Sequence, residues 1–301
     1  MNQVKKRADR TAEGVAMWRA IGALEADPRV RNPDSMAAGF LNPVSRALLS
    51  VPPLRSWMTN YYSRKLPGAY GYATARTLHL DSILSRALDE GAEQVVLLGA
   101  GYDSRAYRFR ERFSKVRVFE LDLPATQERK KKRLEALFGS LPEWVTYVPI
   151  NFDAQRLEEV LPAAGFDRTR RTFFLWEGVS MYLTEEGIDQ TLGFVARNTP
   201  PHSSIAFDFV ALGALRGDDS RYPGTRQWIN VLAEMGHPMT FGIEEDATDA
   251  FLRKRGFEVV SQIGSAEMER KYLVKSDGQL LCHTSSFLCI VHARVQEPAP
   301  A

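Results

Sequence analysis

The chain has 301 residues, of which 44% are hydrophobic and 25% are charged, and its formal net charge is only +2. This length and composition are typical of a single enzyme domain with a substantial core. The small net charge argues against a nucleic-acid-binding protein, which would carry a large basic excess or a basic stripe. No apolar stretch approaches the ~20 residues that span a bilayer, and the first 20 residues lack the apolar core of a signal peptide. We therefore expect a cytoplasmic protein without nucleic-acid or membrane partners.

The sequence contains two cysteines, Cys282 and Cys289. They are too few, and too oddly spaced, for a zinc site or a framework of disulfides. We expect reduced thiols in or beside a late strand, and no metal site.

The first 70 residues are predicted to form a helical cap. Apolar residues recur at helical spacing before the helix-breaking pair Asp27-Pro28. They are Val15, Met17, Trp18, Ile21 and Leu24. This stripe either packs on the body of the protein or forms a lid over a pocket. A second segment, from Leu54 to Tyr62, is rich in aromatic residues that either line a substrate pocket or simply pack.

Residues 71–301 alternate between helical and strand-like segments. Predicted helices include Tyr72–Ala87, Asp122–Phe138 and Glu185–Arg197. Predicted strands are Val95–Leu98, Val116–Phe119, Trp144–Pro149, Thr172–Trp176, Ser204–Val210, Phe257–Ile263 and Phe287–Val295. Such alternation predicts a parallel α/β sheet with a ligand crevice at the carboxyl ends of its strands. The polar stretch Lys271–Gly278 suggests an antiparallel hairpin between the last two strands, and Ala211–Asp249 reads as an inserted cap.

A glycine turn follows the first predicted strand, Val95–Leu98. Gly99 and Gly101 let the backbone turn sharply and approach a ligand closely. The next strand ends in Glu120 and Asp122, about 20 residues on, where a carboxylate binds a nucleoside ribose. Strand alternation places both carboxylates on the same side, so periodicity does not choose between them.

The turn distinguishes between two classes of cofactor. Dinucleotide enzymes need G-x-G-x-x-G, and here the third glycine is missing. Asp103 also places negative charge where a pyrophosphate would lie, whereas S-adenosylmethionine brings an ammonium and a sulfonium. The residues favour S-adenosylmethionine over NAD. An NAD-dependent oxidoreductase is the alternative from another reaction class, and a non-catalytic binding protein would require a decayed site.

Three segments resemble the leucine carboxyl methyltransferase superfamily, and most closely its bacterial small-molecule (polyketide-type) O-methyltransferases. They are Gln94–Arg108, Val118–Gln127 and Trp176–Leu183, and the similarity runs from about residue 30 to the last strand. The resemblance implies a class I methyltransferase fold, with a Rossmann-like, mostly parallel seven-stranded sheet and an antiparallel C-terminal hairpin. It also implies a helical cap at 1–70, a cap insertion near 211–249, and S-adenosyl-L-methionine as cofactor with S-adenosyl-L-homocysteine as product.

The same resemblance implies roles for individual residues. Arg76 would grip the cofactor carboxylate, Asp122 would be preferred over Glu120 for the ribose, and Glu177 would meet the methionine end. Asn151 and Phe152 stand where the family has an acidic and an apolar residue beside the adenine, with Asp153 as the alternative acceptor. The predicted cofactor site comprises Arg76, Gly99, Ala100, Gly101, Asp103, Glu120, Asp122, Asn151, Phe152, Glu177 and Tyr182.

The predicted activity is methyl transfer to the carboxylate or hydroxyl of a small molecule, a polyketide-type secondary metabolite. A carboxylate acceptor needs positive charge, for which the candidates are Arg221 and Arg226 with Tyr222. A phenol or enol acceptor needs a general base, for which the candidates are His202 and His237. The alternative acceptor is a protein C-terminal carboxylate, as in the eukaryotic branch of the superfamily.

Overall fold

The computed structural model describes residues 2–152 and 154–297, and their side chains from residue 12 onward. Asp153, the alternative adenine-binding residue, lies outside the described residues. Within these ranges the chain forms one eight-stranded sheet in the order β3-β2-β1-β4-β5-β8-β7, with β6 paired to β5. The strands are β1 Gln94–Leu98, β2 Arg117–Asp122, β3 Val145–Pro149, β4 Thr172–Trp176, β5 Ser204–Ala211, β6 Gly242–Ile243, β7 Phe257–Ile263 and β8 Leu288–Val295.

The helices flank this sheet, and the first four of them precede β1 in the chain. They are α1 Asn2–Gly22, α2 Pro43–Ser50, α3 Pro52–Lys65, α4 Ala69–Asp89, α5 Arg105–Arg108, α6 Pro124–Phe138, α7 Leu157–Ala163, α8 Glu185–Asn198, α9 Leu212–Leu215, α10 Thr225–Glu234, α11 Thr248–Arg253 and α12 Ser265–Tyr272. Local sequence sets several of their ends. For example, α6 starts at Pro124 and stops at Gly139 in the left-handed conformation, and the Thr184 hydroxyl caps α8.

Both faces of the sheet are buried, as expected for a parallel sheet covered by helices. Strand β4 shows the period-2 pattern directly: Phe173 and Leu175 belong to one core cluster, and Phe174 and Trp176 to the other. Helices α1 and α4 contribute to the first cluster, while α8 contributes to the second. The near-continuous apolar run of β4 is explained by this two-sided burial.

The predicted fold class is confirmed: β1 to β5 run parallel, and β8 is antiparallel to both β5 and β7. The connection between β7 and β8 is longer than the predicted hairpin, because α12 and a following loop lie between them. The segment 211–249 holds α9, α10 and β6. The sequence did not predict the two-residue strand β6. The division of the chain at residue 70 stays a prediction.

The N-terminal helices pack on the body of the protein, mainly through α1 against α4. From the predicted stripe, Trp18 and Ile21 are buried and Leu24 is exposed. Helix α10 of the insertion contacts the loop between α3 and α4, where the Trp228 indole donates to the Pro67 carbonyl at 2.9 Å. In the described part of the chain, no helix is long and apolar enough to cross a membrane.

Gly68, which precedes α4, packs closely against the backbone of the loop before β8, and this contact can be tested. Its φ is +77°, and an added Cβ would lie 2.4 Å from the backbone nitrogen of Ser285. Gly91 has a φ of +89° but open space around a Cβ. Gly91→Ala should cost about 1–2 kcal/mol in the free energy of unfolding, from backbone strain alone. Gly68→Ala should cost at least about 2 kcal/mol more, because the backbone at Ser285 must also move to make room for the added Cβ. Urea denaturation of both variants checks this, and equal losses would contradict the described contact.

Candidate active site

A cavity of about 260 Å³ lies beyond the carboxyl ends of β1, β2 and β4. Parallel α/β sheets bind ligands at this edge. The cavity is lined by residues of the turn after β1, by the ends of β2 and β4, and by Ala12, Val15 and Arg19 of α1. Of the predicted cofactor residues, the lining includes Arg76, Gly99, Ala100, Gly101, Asp103, Asp122, Phe152, Glu177 and Tyr182. The structure therefore brings together most of the predicted cofactor residues.

The turn after β1 depends on its two glycines. Gly99 has a φ of +65°, and a Cβ there would lie 2.5 Å from Cγ2 of Val179. Gly101 has a φ of +41°, and its N–H donates to Oδ2 of Asp122 at 2.5 Å. The turn is thereby held against the end of β2 with its backbone facing the cavity.

Asp122 lies half-buried at the end of β2, on the cavity lining. Its second oxygen, Oδ1, accepts from the Leu123 N–H at 2.6 Å. Burial raises the pKa of Asp122, and the hydrogen bonds from Gly101 and Leu123 oppose that rise. The carboxylate is held by backbone donors and lies where a ligand hydroxyl can reach it.

Glu120 is used differently, although it is only two residues away. It is buried, lies 2.8 Å from Lys130 Nζ, and accepts from the Tyr107 hydroxyl at 2.9 Å. It is not part of the cavity lining. Burial raises the pKa of Glu120, while Lys130 opposes the rise. The structure thus separates the two carboxylates that strand periodicity could not separate.

Arg76 of α4 lies between two carboxylates. Its Nη1 is 2.5 Å from Asp208 and its Nη2 is 3.1 Å from Glu177. Asp208 also accepts from the Tyr72 hydroxyl at 2.9 Å and from the Gly178 N–H at 2.6 Å. Burial alone would lower the pKa of Arg76, but the two carboxylates outweigh burial and raise it.

Asp208 was not predicted as a functional residue. Its signal in the sequence is a single carboxylate inside the apolar run of β5, where an unpaired charge would be costly. Only the tertiary structure shows that its partners lie on α4 and after β4.

Arg105 directly follows Ser104, which stands at the position of the missing third glycine, and lies at the centre of a second set of ion pairs. Its Nη1 is 2.5 Å from Asp103 and 2.6 Å from Glu177, and its Nε is 2.6 Å from Asp81. Although burial opposes ionisation of Asp103, Arg105 and neighbouring cations lower its pKa to about 2. For Glu177 burial is likewise outweighed, by Arg76 and Arg105, and its pKa is lowered. Both carboxylates are ionised at neutral pH.

These contacts form one continuous buried ion-pair network. Among the described side chains it joins four arginines to five carboxylates: Arg19, Arg76, Arg105 and Arg108 with Asp34, Asp81, Asp103, Glu177 and Asp208. The formal charge of the network is therefore one negative. Arg19, Asp34 and Asp81 were not identified from the sequence.

A second, smaller cavity of about 120 Å³ adjoins the first. Val15, Arg76, Gly178 and Tyr182 line both cavities. The rest of its lining is mainly apolar, including Trp18, Leu66, Met181, Trp228, Met235 and Met239. Helix α1 and the insertion thus border an apolar space beside the larger cavity.

Tyr182 and His237 lie close together at this junction, with ring centroids 5.9 Å apart. Burial raises the pKa of Tyr182 to about 12, so its hydroxyl is protonated at neutral pH. His237 is half-buried and lines the larger cavity. Neither the Tyr182 hydroxyl nor a ring nitrogen of His237 makes a hydrogen bond to any described residue.

The other four acceptor-site candidates lie elsewhere, which corrects the prediction. Arg221 is exposed and 3.0 Å from Glu245, to which Tyr222 also donates, and Arg226 is exposed and 2.7 Å from Asp219. These groups are satisfied by surface carboxylates of the insertion. His202 is exposed just before β5, at the opposite edge of the sheet, and lies 3.1 Å from Glu297.

The structure also separates Asn151 and Phe152, the two residues predicted to lie beside the adenine. Phe152 lines the larger cavity, but Asn151 is exposed and outside the lining. The Asn151 N–H donates to the Gln155 side chain at 3.0 Å.

Comparison with known proteins identifies the family of this chain. The family model of leucine carboxyl methyltransferase matches residues 12–196, which contain the glycine turn, Asp122 and Glu177. The chain belongs to the leucine carboxyl methyltransferase family. As a member, it is a methyltransferase that uses S-adenosyl-L-methionine, as the sequence motifs predicted.

Relatives of this methyltransferase occur in several bacteria. YktD of Bacillus subtilis, named as a candidate S-adenosyl-L-methionine-dependent methyltransferase, is 34% identical over 55% of this chain and 54% of its own. A similarly named protein of Mycolicibacterium paratuberculosis is 31% identical over 86% of this chain and 82% of its own. A crystal structure of a candidate methyltransferase from Thermobifida fusca shares the fold, with a TM-score of 0.57 and 15% identity over 86% of this chain and 92% of that one.

The two carboxylates at the end of β2 allow a direct test in this methyltransferase. Asp122→Ala should weaken binding of S-adenosylhomocysteine by about 1–3 kcal/mol, because the charge-assisted hydrogen bonds predicted between Asp122 and the ribose would be lost. Isothermal titration calorimetry measures the change. Glu120→Gln is the control: it leaves Lys130 buried without its ionised partner, so it should lower stability to urea while leaving affinity unchanged. Weaker binding by the Glu120 variant alone would reverse the assignment.

Proposed function

We propose that this methyltransferase is an O-methyltransferase that acts on a small molecule. The observation that carries the proposal is the apolar cavity that adjoins the larger, charged one. One cavity suits a charged nucleoside cofactor, and the other suits an apolar acceptor. Their shared lining at Tyr182 and Gly178 is where the two molecules would meet.

The residues of the larger cavity fit S-adenosylmethionine. Asp122 would accept hydrogen bonds from the ribose hydroxyls, and Glu177 would bind the ammonium. Gly99 lets the turn that lines this cavity pass close to Val179, since a Cβ there would clash with the Val179 side chain. Arg76 is the proposed partner of the cofactor carboxylate. Arg19 lines the same cavity, and its Nε is buried without a hydrogen-bond partner among the described residues.

The charge of the network also matches this cofactor. S-adenosylmethionine carries a sulfonium, an ammonium and a carboxylate, so its net charge is one positive. The network carries one negative charge. NAD would instead bring two phosphates beside Asp103 and Glu177, both ionised at neutral pH, which disfavours the oxidoreductase alternative.

The cofactor supplies a methyl group that its sulfonium has already activated. The protein is left to position the acceptor oxygen and to exclude water. Ala12, Val15 and Arg19 of α1 cover the larger cavity, and Trp18 extends the same cover over the smaller one. Helix α1 therefore serves as the proposed lid over both ligands.

The small size and apolar lining of the second cavity favour a small acceptor over a protein C-terminus. A peptide would need an open groove with partners for its backbone amides. The aromatic and methionine side chains of this cavity offer dispersion contacts instead. Incubation with S-adenosylmethionine and a panel of phenols, alcohols, carboxylic acids, amines and peptides, read by mass spectrometry, tests the proposal. Methylation on oxygen of a small molecule supports it, whereas methylation of peptides or amines alone contradicts it.

Glu177→Gln tests the proposed cofactor contacts. Loss of the carboxylate charge removes the partner of the cofactor ammonium, so S-adenosylhomocysteine should bind about tenfold more weakly or worse. Calorimetry gives the affinity, with NAD titrated into the wild-type protein for comparison. Glu186→Gln, which changes an exposed glutamate on α8, is the matched control and should bind normally. Binding of NAD without binding of S-adenosylhomocysteine would contradict the proposed function.

A further inference from the structure

We infer that the methyl acceptor is an uncharged, largely apolar hydroxyl compound, such as a phenol, and that His237 takes up its proton. The inference rests on the proposed function and adds the charge of the acceptor and the residues that meet its reacting oxygen. It is carried by the charges and the free polar groups around the second cavity.

The second cavity has no cation to spare for a carboxylate. Of the described residues that line it, only Arg76 is charged. Both Nη atoms of Arg76 face carboxylates, and its unpartnered Nε is the donor left for the cofactor carboxylate proposed above. The network to which Arg76 belongs carries one negative charge. The single positive charge of the cofactor brings this total to neutral and leaves no excess. An anionic acceptor would therefore be buried without a countercharge, which is costly.

The polar groups on this cavity are nearly all occupied by the protein itself. The Tyr72 hydroxyl donates to Asp208, and the Trp228 indole donates to Pro67. The Tyr182 hydroxyl has no partner among the described residues. Its pKa of about 12 keeps it protonated, so it can donate to or accept from one neutral hydroxyl. This leaves a place for a single uncharged polar group at the junction of the cavities.

A neutral hydroxyl must lose its proton during methyl transfer, and His237 lies where it can accept it. Its ring packs edge-on to Tyr182, and its nitrogens have no partner among the described residues. As the acceptor oxygen forms its bond to the methyl carbon, the C–S electron pair remains on sulfur and the O–H proton moves to a ring nitrogen of His237. The proton then passes to solvent. The products are a methyl ether and S-adenosylhomocysteine.

Matched ligand pairs test the charge of the acceptor. The protein is saturated with S-adenosylhomocysteine and titrated with phenol and benzoate, and with 2-naphthol and 2-naphthoate. The hydroxyl member of a pair should bind at least tenfold more tightly than its carboxylate. Tyr182→Phe should weaken binding of the preferred hydroxyl about tenfold, whereas Tyr222→Phe, whose hydroxyl donates to Glu245 away from the cavity, should not. Carboxylates that bind as tightly as their partners, or no binding by either hydroxyl, would overturn the inference.

The role of His237 has a readout that does not depend on turnover. The chain has five histidines, so their ring signals can be followed by nitrogen-15 NMR after selective labelling. The preferred hydroxyl ligand should shift the His237 signals in the S-adenosylhomocysteine complex, and its methyl ether should shift them less. His237→Gln identifies these signals by their loss. Unchanged signals would remove His237 from the acceptor site. Failure of S-adenosylhomocysteine to bind in the first place would instead refute the proposed function.

Discussion

The buried ion-pair network is the interaction on which the rest of the site depends. Its side chains come from α1, α4, α5, β5, the turn after β1, the end of β4 and the segment that follows α1. Removal of one member of a buried pair leaves an uncompensated charge and costs about 3–5 kcal/mol. The network therefore holds α1 and the segment that follows it against the rest of the protein, so that the proposed lid and the proposed cofactor site share one set of contacts.

The same network gives a physical reason for ligand choice. One excess negative charge favours a cofactor with one net positive charge, and the neutral total then disfavours a charged acceptor. Family membership alone suggests a carboxylate acceptor, because the family takes its name from carboxyl methylation. The second cavity of this chain lacks the free cation, among its described residues, that such an acceptor requires. The class of methyl acceptor is therefore inferred from the site of this chain and not from its family.

The sequence predicted those features of the fold and the site that depend on local patterns of residues. Apolar runs located the strands, with Thr172–Trp176 and Phe257–Ile263 matching their observed bounds. The glycine turn and the pair of carboxylates Glu120 and Asp122 were found because their spacing is local, whereas the preference for Asp122 came from the family resemblance. Asp208 was missed because its partner Arg76 is 132 positions away in the sequence. Arg221, Tyr222 and Arg226 were misplaced because an insertion carries no periodic signal to show which of its side chains face inward.

A crystal structure with S-adenosylhomocysteine and the preferred hydroxyl ligand tests the account most directly. We expect ribose hydroxyls within hydrogen-bond distance of Asp122, the homocysteine ammonium beside Glu177, and the ligand oxygen between Tyr182 and His237. We also expect Arg76 to keep its contacts with Asp208. A nucleoside bound away from Asp122, or an acceptor carboxylate paired with a released Arg76, would contradict it.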